Sequence, residues 1–139
     1  KEKSILSGIW KFVIIAGLLA FLSGSIVYSI GIKNNISPEQ TRTIVITTAI
    51  LFELLFVYVV RSEKSLFKIG FFSNRYVNYA VLISLSLHLM ILYTPLNSLF
   101  GVVPLTLKNW LFILPFSFSG LIFFETWKIF KWKSSKRLK

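Results

Sequence analysis

Glu53 is the residue with the most chemistry to offer. It is the one acid inside a long apolar run, TIVITTAILFELLFVYVV, from Thr43 to Val60. If that run crosses a bilayer, a carboxylate near its middle costs about 2.5–3.5 kcal/mol even on the lenient insertion scale. Such a group must face protein, water or a cation. Two readings stay open: a membrane-embedded cation ligand or proton carrier, and a protonated Glu making one interhelical hydrogen bond. One carboxylate does not complete a calcium site, which takes six to eight oxygens. Thr47, Thr48 and backbone carbonyls are the nearby oxygens. No second acid lies at this depth, so the remaining ligands must come from elsewhere.

The other candidate groups are weaker. His88, the single histidine, sits in the run YVNYAVLISLSLHLMILY with Ser84 and Ser86 close by. A packed neutral histidine bonded to a neighbouring helix is the expected state, with a ligand or proton relay as the alternative. Glu125 stands three residues before Lys128, a spacing that pairs opposite charges on one helix face. It is expected near a bilayer edge. Asn78 reads as a packing or interface group. No Gly-rich phosphate loop, no Ser/His/acid set and no HExxH is present. The absence of Cys excludes a disulfide scaffold and any thiolate metal site. Judged by its own residues, the chain has no catalytic centre and no cofactor site.

The elements that carry these residues follow from composition. The chain has 139 residues, 55% hydrophobic and 15% charged, with 14 Phe. Soluble domains carry about 25% charged residues, so this balance points to a membrane. Apolar runs fall at about 12–32, 43–60, 76–94 and 109–127. A hydrocarbon core about 30 Å thick takes roughly 20 helical residues. In lipid every backbone N–H and C=O needs an internal partner, which only a helix or a closed barrel provides. Barrel strands are alternating segments of about ten residues, half the length of these runs. The expected fold is therefore all-α, a polytopic membrane protein with four transmembrane helices. The chain begins at Lys1 rather than Met, which is read as a processed protein or a piece of a longer one.

Charge sets the orientation. Lys1, Lys3 and Lys11 flank the first run, Arg61, Lys64, Lys68 and Arg75 lie in the second linker, and six basic residues fill the tail from Lys128 to Lys139. Thirteen of the 16 basic residues thus share one side, against Lys33, Arg42 and Lys108 on the other. The positive-inside rule puts both termini in the cytoplasm. The same distribution accounts for the net charge of +11 and removes the case for nucleic acid. The tail is a positive-inside anchor that also suits anionic lipid headgroups.

Between the runs, Ser37–Pro38–Glu39 reads as a helix start. In the linker 61–75, Leu66, Phe67, Ile69, Phe71 and Phe72 are expected at headgroup level. The segment 94–108 is expected to lie along the membrane surface. Ala16, Ala20 and Gly24 recur every four positions and Gly17, Gly24 and Gly31 every seven, a pattern that lets membrane helices approach closely. Pro115 is expected to kink the fourth helix or to free a carbonyl.

The order of these pieces resembles a known family. The segment from Thr43 onward, with RSEKSLFKIGFFSN at Arg61–Asn74, SLSLHLMILYTPL at Ser84–Leu96, PLTLKNWL at Pro104–Leu111 and FETWK at Phe124–Lys128, is similar to the C-terminal transmembrane domain of type II cation-transporting P-type ATPases, the calcium pumps in particular. KEKSILSGIW and the run to Ile32 resemble that domain's first helix and lead-in. The likeness covers residues 1–139 and implies helices seven to ten of a ten-helix pump. It implies Glu53 as the matched carboxylate ligand of the transported cation, calcium first. The other ligands, the phosphorylated aspartate and the Mg-ATP site would lie in the rest of the parent pump. The partners implied are the lipid bilayer, the parent's remaining transmembrane and cytoplasmic domains, and the transported cation. One departure is Phe56, where the calcium pumps place an Asn three residues after the carboxylate. It keeps manganese, sodium and proton-coupled variants open. The alternatives of another class are a small four-helix membrane subunit, or an ion carrier using Glu53, neither with ATPase activity.

Overall fold

A computed structural model describes the backbone of residues 2–62 and 64–137, with side-chain environments from Trp10 to Ser62 and Lys64 to Phe130. Lys1, Glu63 and the side chains of the basic tail beyond Phe130, Lys131 to Lys139 with Trp132, lie outside the described residues, as does the side chain of Lys3. The described chain is all helix and turn. Four long helices are α1 (Glu2–Lys33), α2 (Pro38–Val60), α4 (Arg75–Tyr93) and α6 (Leu107–Arg137). Two short ones are α3 (Leu66–Ile69) and α5 (Leu96–Phe100). All four long helices are long and apolar enough to span a membrane. The protein is an integral multi-pass membrane protein, and an even number of crossings returns the chain to its starting side.

The helices run past their apolar stretches because their ends are satisfied locally. α2 starts five residues before Thr43. Ser37 is its N-cap, accepting a hydrogen bond from the Gln40 amide at 3.3 Å, and Pro38 stands where no N–H is needed. α4 starts on Asn74, whose side chain accepts from the Tyr76 and Val77 amides. Gly70, at φ +82°, lets the chain turn from α3 into a 3₁₀ turn at Phe71–Ser73.

α2 is the centre of the bundle, packed most extensively on α6 and then on α1, with α4 lying more lightly against it. Two apolar clusters fill the ends. Val27, Ile44, Leu92, Val102, Leu105 and Ile113 form one. Ala16, Val59, Leu66, Leu121 and Phe124 form the other. Both depart from the surface-loop expectation. The 94–108 segment reaches into the bundle end with Val102 and Leu105, and the Val103 amide donates to Thr43 Oγ1 at 3.0 Å. In the 61–75 linker, Leu66 is fully buried and Phe71 half-buried, while Phe67 and Phe72 remain exposed at the proposed headgroup level.

Close helix approach falls at two glycines. A methyl group built on Gly31 would come within 2.6 Å of Thr41 Cγ2, and one on Gly120 would collide with the Phe52 ring. Gly17 faces open space and Gly24 meets only Val45 at 3.9 Å. Of the repeating small residues in α1, Ala16 and Gly31 are buried by their neighbours, while Gly120 of α6 carries the contact that the repeat did not signal. Pro115 is exposed, and α6 continues through it.

The two contact glycines generate a comparison. Gly31→Val and Gly120→Val should each lower the stability of the detergent-solubilised protein by about 1–3 kcal/mol, the range for overpacking. Gly17→Ala should leave it unchanged. Equal melting midpoints for the three variants would refute the assignment of these contacts.

Candidate functional site

The site begins with how α2 divides its faces. Thr41, Thr43, Ile44, Thr47, Thr48, Phe52 and Val59 are buried. Arg42, Ile46, Ala49, Glu53, Val57 and Val60 are exposed, one open stripe at spacings of three and four. Glu53 lies eight residues before Arg61, about 12 Å along the helix at 1.5 Å per residue. It therefore sits deep in a membrane helix, with its side chain on the face this bundle leaves uncovered. Among the described residues it has no hydrogen bond or ion pair.

The neighbouring oxygens do not join it. Thr47 Oγ1 lies 3.1 Å from His88 Nε2, a buried contact between α2 and α4. Thr48 Oγ1 donates to the Ile44 carbonyl at 2.8 Å, within its own helix. At roughly 100° per residue, both threonines point to faces other than that of Glu53. The backbone is no help either, since α2 is continuous helix and the carbonyls beside Thr47 and Thr48 lie in its interior, where they are paired. Among the described residues no three His, Cys, Asp or Glu come together as a metal cluster. Among the described residues, a cation at Glu53 would find this one side chain as a ligand.

His88 is the packed, bonded histidine expected from its surroundings, and it fastens α4 to α2 with the help of Asn78, whose Oδ1 accepts from Tyr58 at 3.0 Å. Ser84 and Ser86 are exposed and take no part. Phe56 turns into the bundle, where its ring stacks with Phe12 at 5.4 Å and contacts Phe124 at 5.4 Å. At this position the side chain works as packing between α1, α2 and α6.

Glu125 differs most from its expected surroundings. It is paired with Lys128 at 3.0 Å, as the spacing implies, yet it is 2% exposed. Its Oε2 accepts from Ser65 Oγ at 2.8 Å and from the Leu66 amide at 2.7 Å. Lys128 Nζ also donates to the Val59 carbonyl at 2.7 Å. The burial comes from the linker folding over α6, which no local pattern in FETWK announces. A clue was available in Ser65, a cap-type residue just before the apolar Leu66–Phe67. With the Lys128 ammonium on one oxygen and two donors on the other, the Glu125 carboxylate is filled by the protein itself.

Comparison with known proteins places this arrangement. Residues 1–130 match the family model described as cation transporting ATPase, C-terminus. The chain belongs to that family. Three curated relatives are calcium-transporting ATPases: one from Bacillus cereus is 31% identical over 94% of this chain, one from Bacillus subtilis 33% over 78%, and one from Plasmodium falciparum 36% over 72%. The chain spans 17%, 12% and 8% of their lengths, respectively. As a cation ATPase C-terminal domain, the chain carries membrane helices without catalytic motifs.

The Thr47–His88 contact yields a test of the bundle. Thr47→Val removes the hydroxyl and leaves a buried ring nitrogen unpaired, which should cost about 1–3 kcal/mol. Thr47→Val combined with His88→Leu should recover most of that, because both polar partners are gone. Thermal melts in detergent decide the matter, and a double variant no more stable than the single one refutes the pairing.

Proposed function

We propose that this chain is the C-terminal membrane portion of an ATP-driven cation pump, most simply a calcium pump, in which α1, α2, α4 and α6 are the seventh to tenth helices. In this reading residues 1–139 form one transmembrane domain with both termini in the cytoplasm. It scaffolds the transport site, and Glu53 contributes one carboxylate oxygen to the transported cation. The parent's other helices cover the open stripe of α2 and bring the remaining ligands. Its cytoplasmic domains bind Mg-ATP and carry the phosphorylated aspartate.

The observation that carries this reading is the placement of Glu53. A carboxylate is tolerated deep in a membrane helix only against protein, water or a cation. Glu53 is exposed on the open stripe of α2, the face that the parent's other helices cover in this reading. The relatives that share the family are calcium-transporting by name, which makes calcium the first ion to try. Phe56, packed among rings in place of an amide, keeps manganese, sodium and protons in the comparison.

The test is phosphorylation of the full-length protein by labelled ATP, titrated separately with calcium, manganese and sodium. Glu53→Gln should raise the concentration of the transported ion needed for half-maximal phosphorylation about tenfold or more, on the order of 1.4 kcal/mol. Glu39→Gln, on an exposed first turn of the same helix, serves as the control. An unchanged ion requirement in Glu53→Gln removes the ligand role. Absence of any ion-dependent phosphorylation favours the four-helix subunit instead.

A further inference from the structure

Glu125 and Lys128 hold three separate elements at one buried point. Lys128 Nζ bridges the Val59 carbonyl at 2.7 Å and Glu125 Oε1 at 3.0 Å, while Oε2 of the same carboxylate takes the Ser65 hydroxyl and the Leu66 amide. Val59 and Leu66 are 1% and 0% exposed. The Val59 carbonyl belongs to the last turn of α2, where carbonyls have no partner within the helix. An ammonium from α6 fills that vacancy. The ammonium is itself fixed by a carboxylate, and the carboxylate by the first residues of α3.

The location of this junction matters for Glu53. Val59 follows Glu53 by six residues, about 9 Å along the axis. The polar contacts that fix the other half of α2, Thr43 with Val103, Thr47 with His88 and the Thr48 carbonyl with Ser117 Oγ of α6 at 3.4 Å, all precede Glu53 in the helix. Between them and the Val59 junction the packing of α2 on α1 and α6 is made by Phe52, Leu55 and Phe56, apolar side chains whose contacts are not directional. On the linker side, Tyr58 is bonded to the lightly held α4, and Arg61 to the turn at Gly70, Phe71 and Ser73. Among the described residues, the Lys128 contact is the directed bond that ties the part of α2 after Glu53 to α6, the Ser117 bond to the Thr48 carbonyl lying before it.

We infer that Glu125 and Lys128 are a positioning pair: they set the register of the linker-side half of α2 against α6, and so the point on the open face at which Glu53 is presented. Neither residue touches the cation. The pair acts through the Val59 carbonyl, and the Ser65–Leu66 clamp keeps the carboxylate from following Lys128 if the helix end shifts. This inference rests on the reading of Glu53 as a cation ligand.

The experiment uses the full-length protein and calcium, with two readouts: the calcium concentration for half-maximal phosphorylation and the phosphorylation level at saturating calcium. Glu125→Gln with Lys128→Met removes both charges together, so no buried charge is left unpaired. It should keep the saturating level near that of the parent and raise the half-maximal calcium concentration about fivefold, below the 10–100-fold seen when a group bonded directly to a metal ligand is lost. On a Glu53→Gln background the same pair of changes should add less than twofold, since the group being positioned is gone. A fall in the saturating level or in thermal stability with an unmoved half-maximal concentration assigns the pair to stability alone and overturns the inference. So does full additivity with Glu53→Gln. If Glu53→Gln itself has no effect, the ligand reading fails first and this inference falls with it. Should the double variant be absent from the membrane, Ser65→Ala replaces it, because that change keeps both charges and drops one bond to Oε2. A rise of about twofold then supports the inference, and an unmoved value overturns it.

Discussion

An acid on a membrane helix must be answered by something, and Glu125 and Glu53 are answered in different ways. Glu125 is closed by the chain itself, with an ammonium on one oxygen and a hydroxyl and an amide on the other. Glu53 has no such partner among the described residues and lies on the open stripe of α2. Breaking a buried pair by removing one member typically costs about 3–5 kcal/mol, because the other charge remains. That cost explains why Glu125 organises its surroundings so tightly. Under the proposed reading, the parent's other helices and the cation answer Glu53.

The rest of the architecture is consistent with that division. α2 is buried on the sides facing α1, α4 and α6, and its inward polar groups are matched: Thr43 with the Val103 amide, Thr47 with His88, Thr48 with its own helix. An interhelical hydrogen bond such as Thr47–His88 contributes about 0.6–2 kcal/mol in membranes, so it specifies which helix faces which more than it holds the bundle together. Close contact supplies the rest, at Gly31 against Thr41 and at Gly120 under the Phe52 ring. What remains on α2 is one face with a carboxylate on it. The chain belongs to the cation transporting ATPase C-terminus family and spans less than a fifth of the length of the calcium-transporting relatives it matches.

Some of this was legible residue by residue. The four spans could be read because lipid allows so few backbone solutions, and Ser37–Pro38 marked a helix start because a cap and a missing N–H are local properties. His88 was legible as a bonded, packed histidine because an imidazole on an apolar helix has few other options. The burial of Glu125 was not legible. Its pairing with Lys128 is an i,i+3 matter, but its depth depends on a linker 60 residues earlier in the chain folding over α6. The same holds for Leu66, Val102 and Leu105, which look like headgroup residues until the ends of the bundle are seen to need filling.

The amino-acid sequence alone determined that this is a membrane protein, that its described residues hold four long apolar helices, which side carries the positive charge, and that one acid would sit deep in the second span. Those properties follow from hydropathy, helix rise and the placement of charges, all of which are summed along the chain. Only the tertiary structure decided which way each polar side chain turns. Thr47 and Thr48 lie close to Glu53 in sequence and face away from it, and Glu125, paired with Lys128 as its spacing implies, is covered by the linker. Direction is set by which helices pack on which faces, and that depends on contacts between residues far apart in the chain.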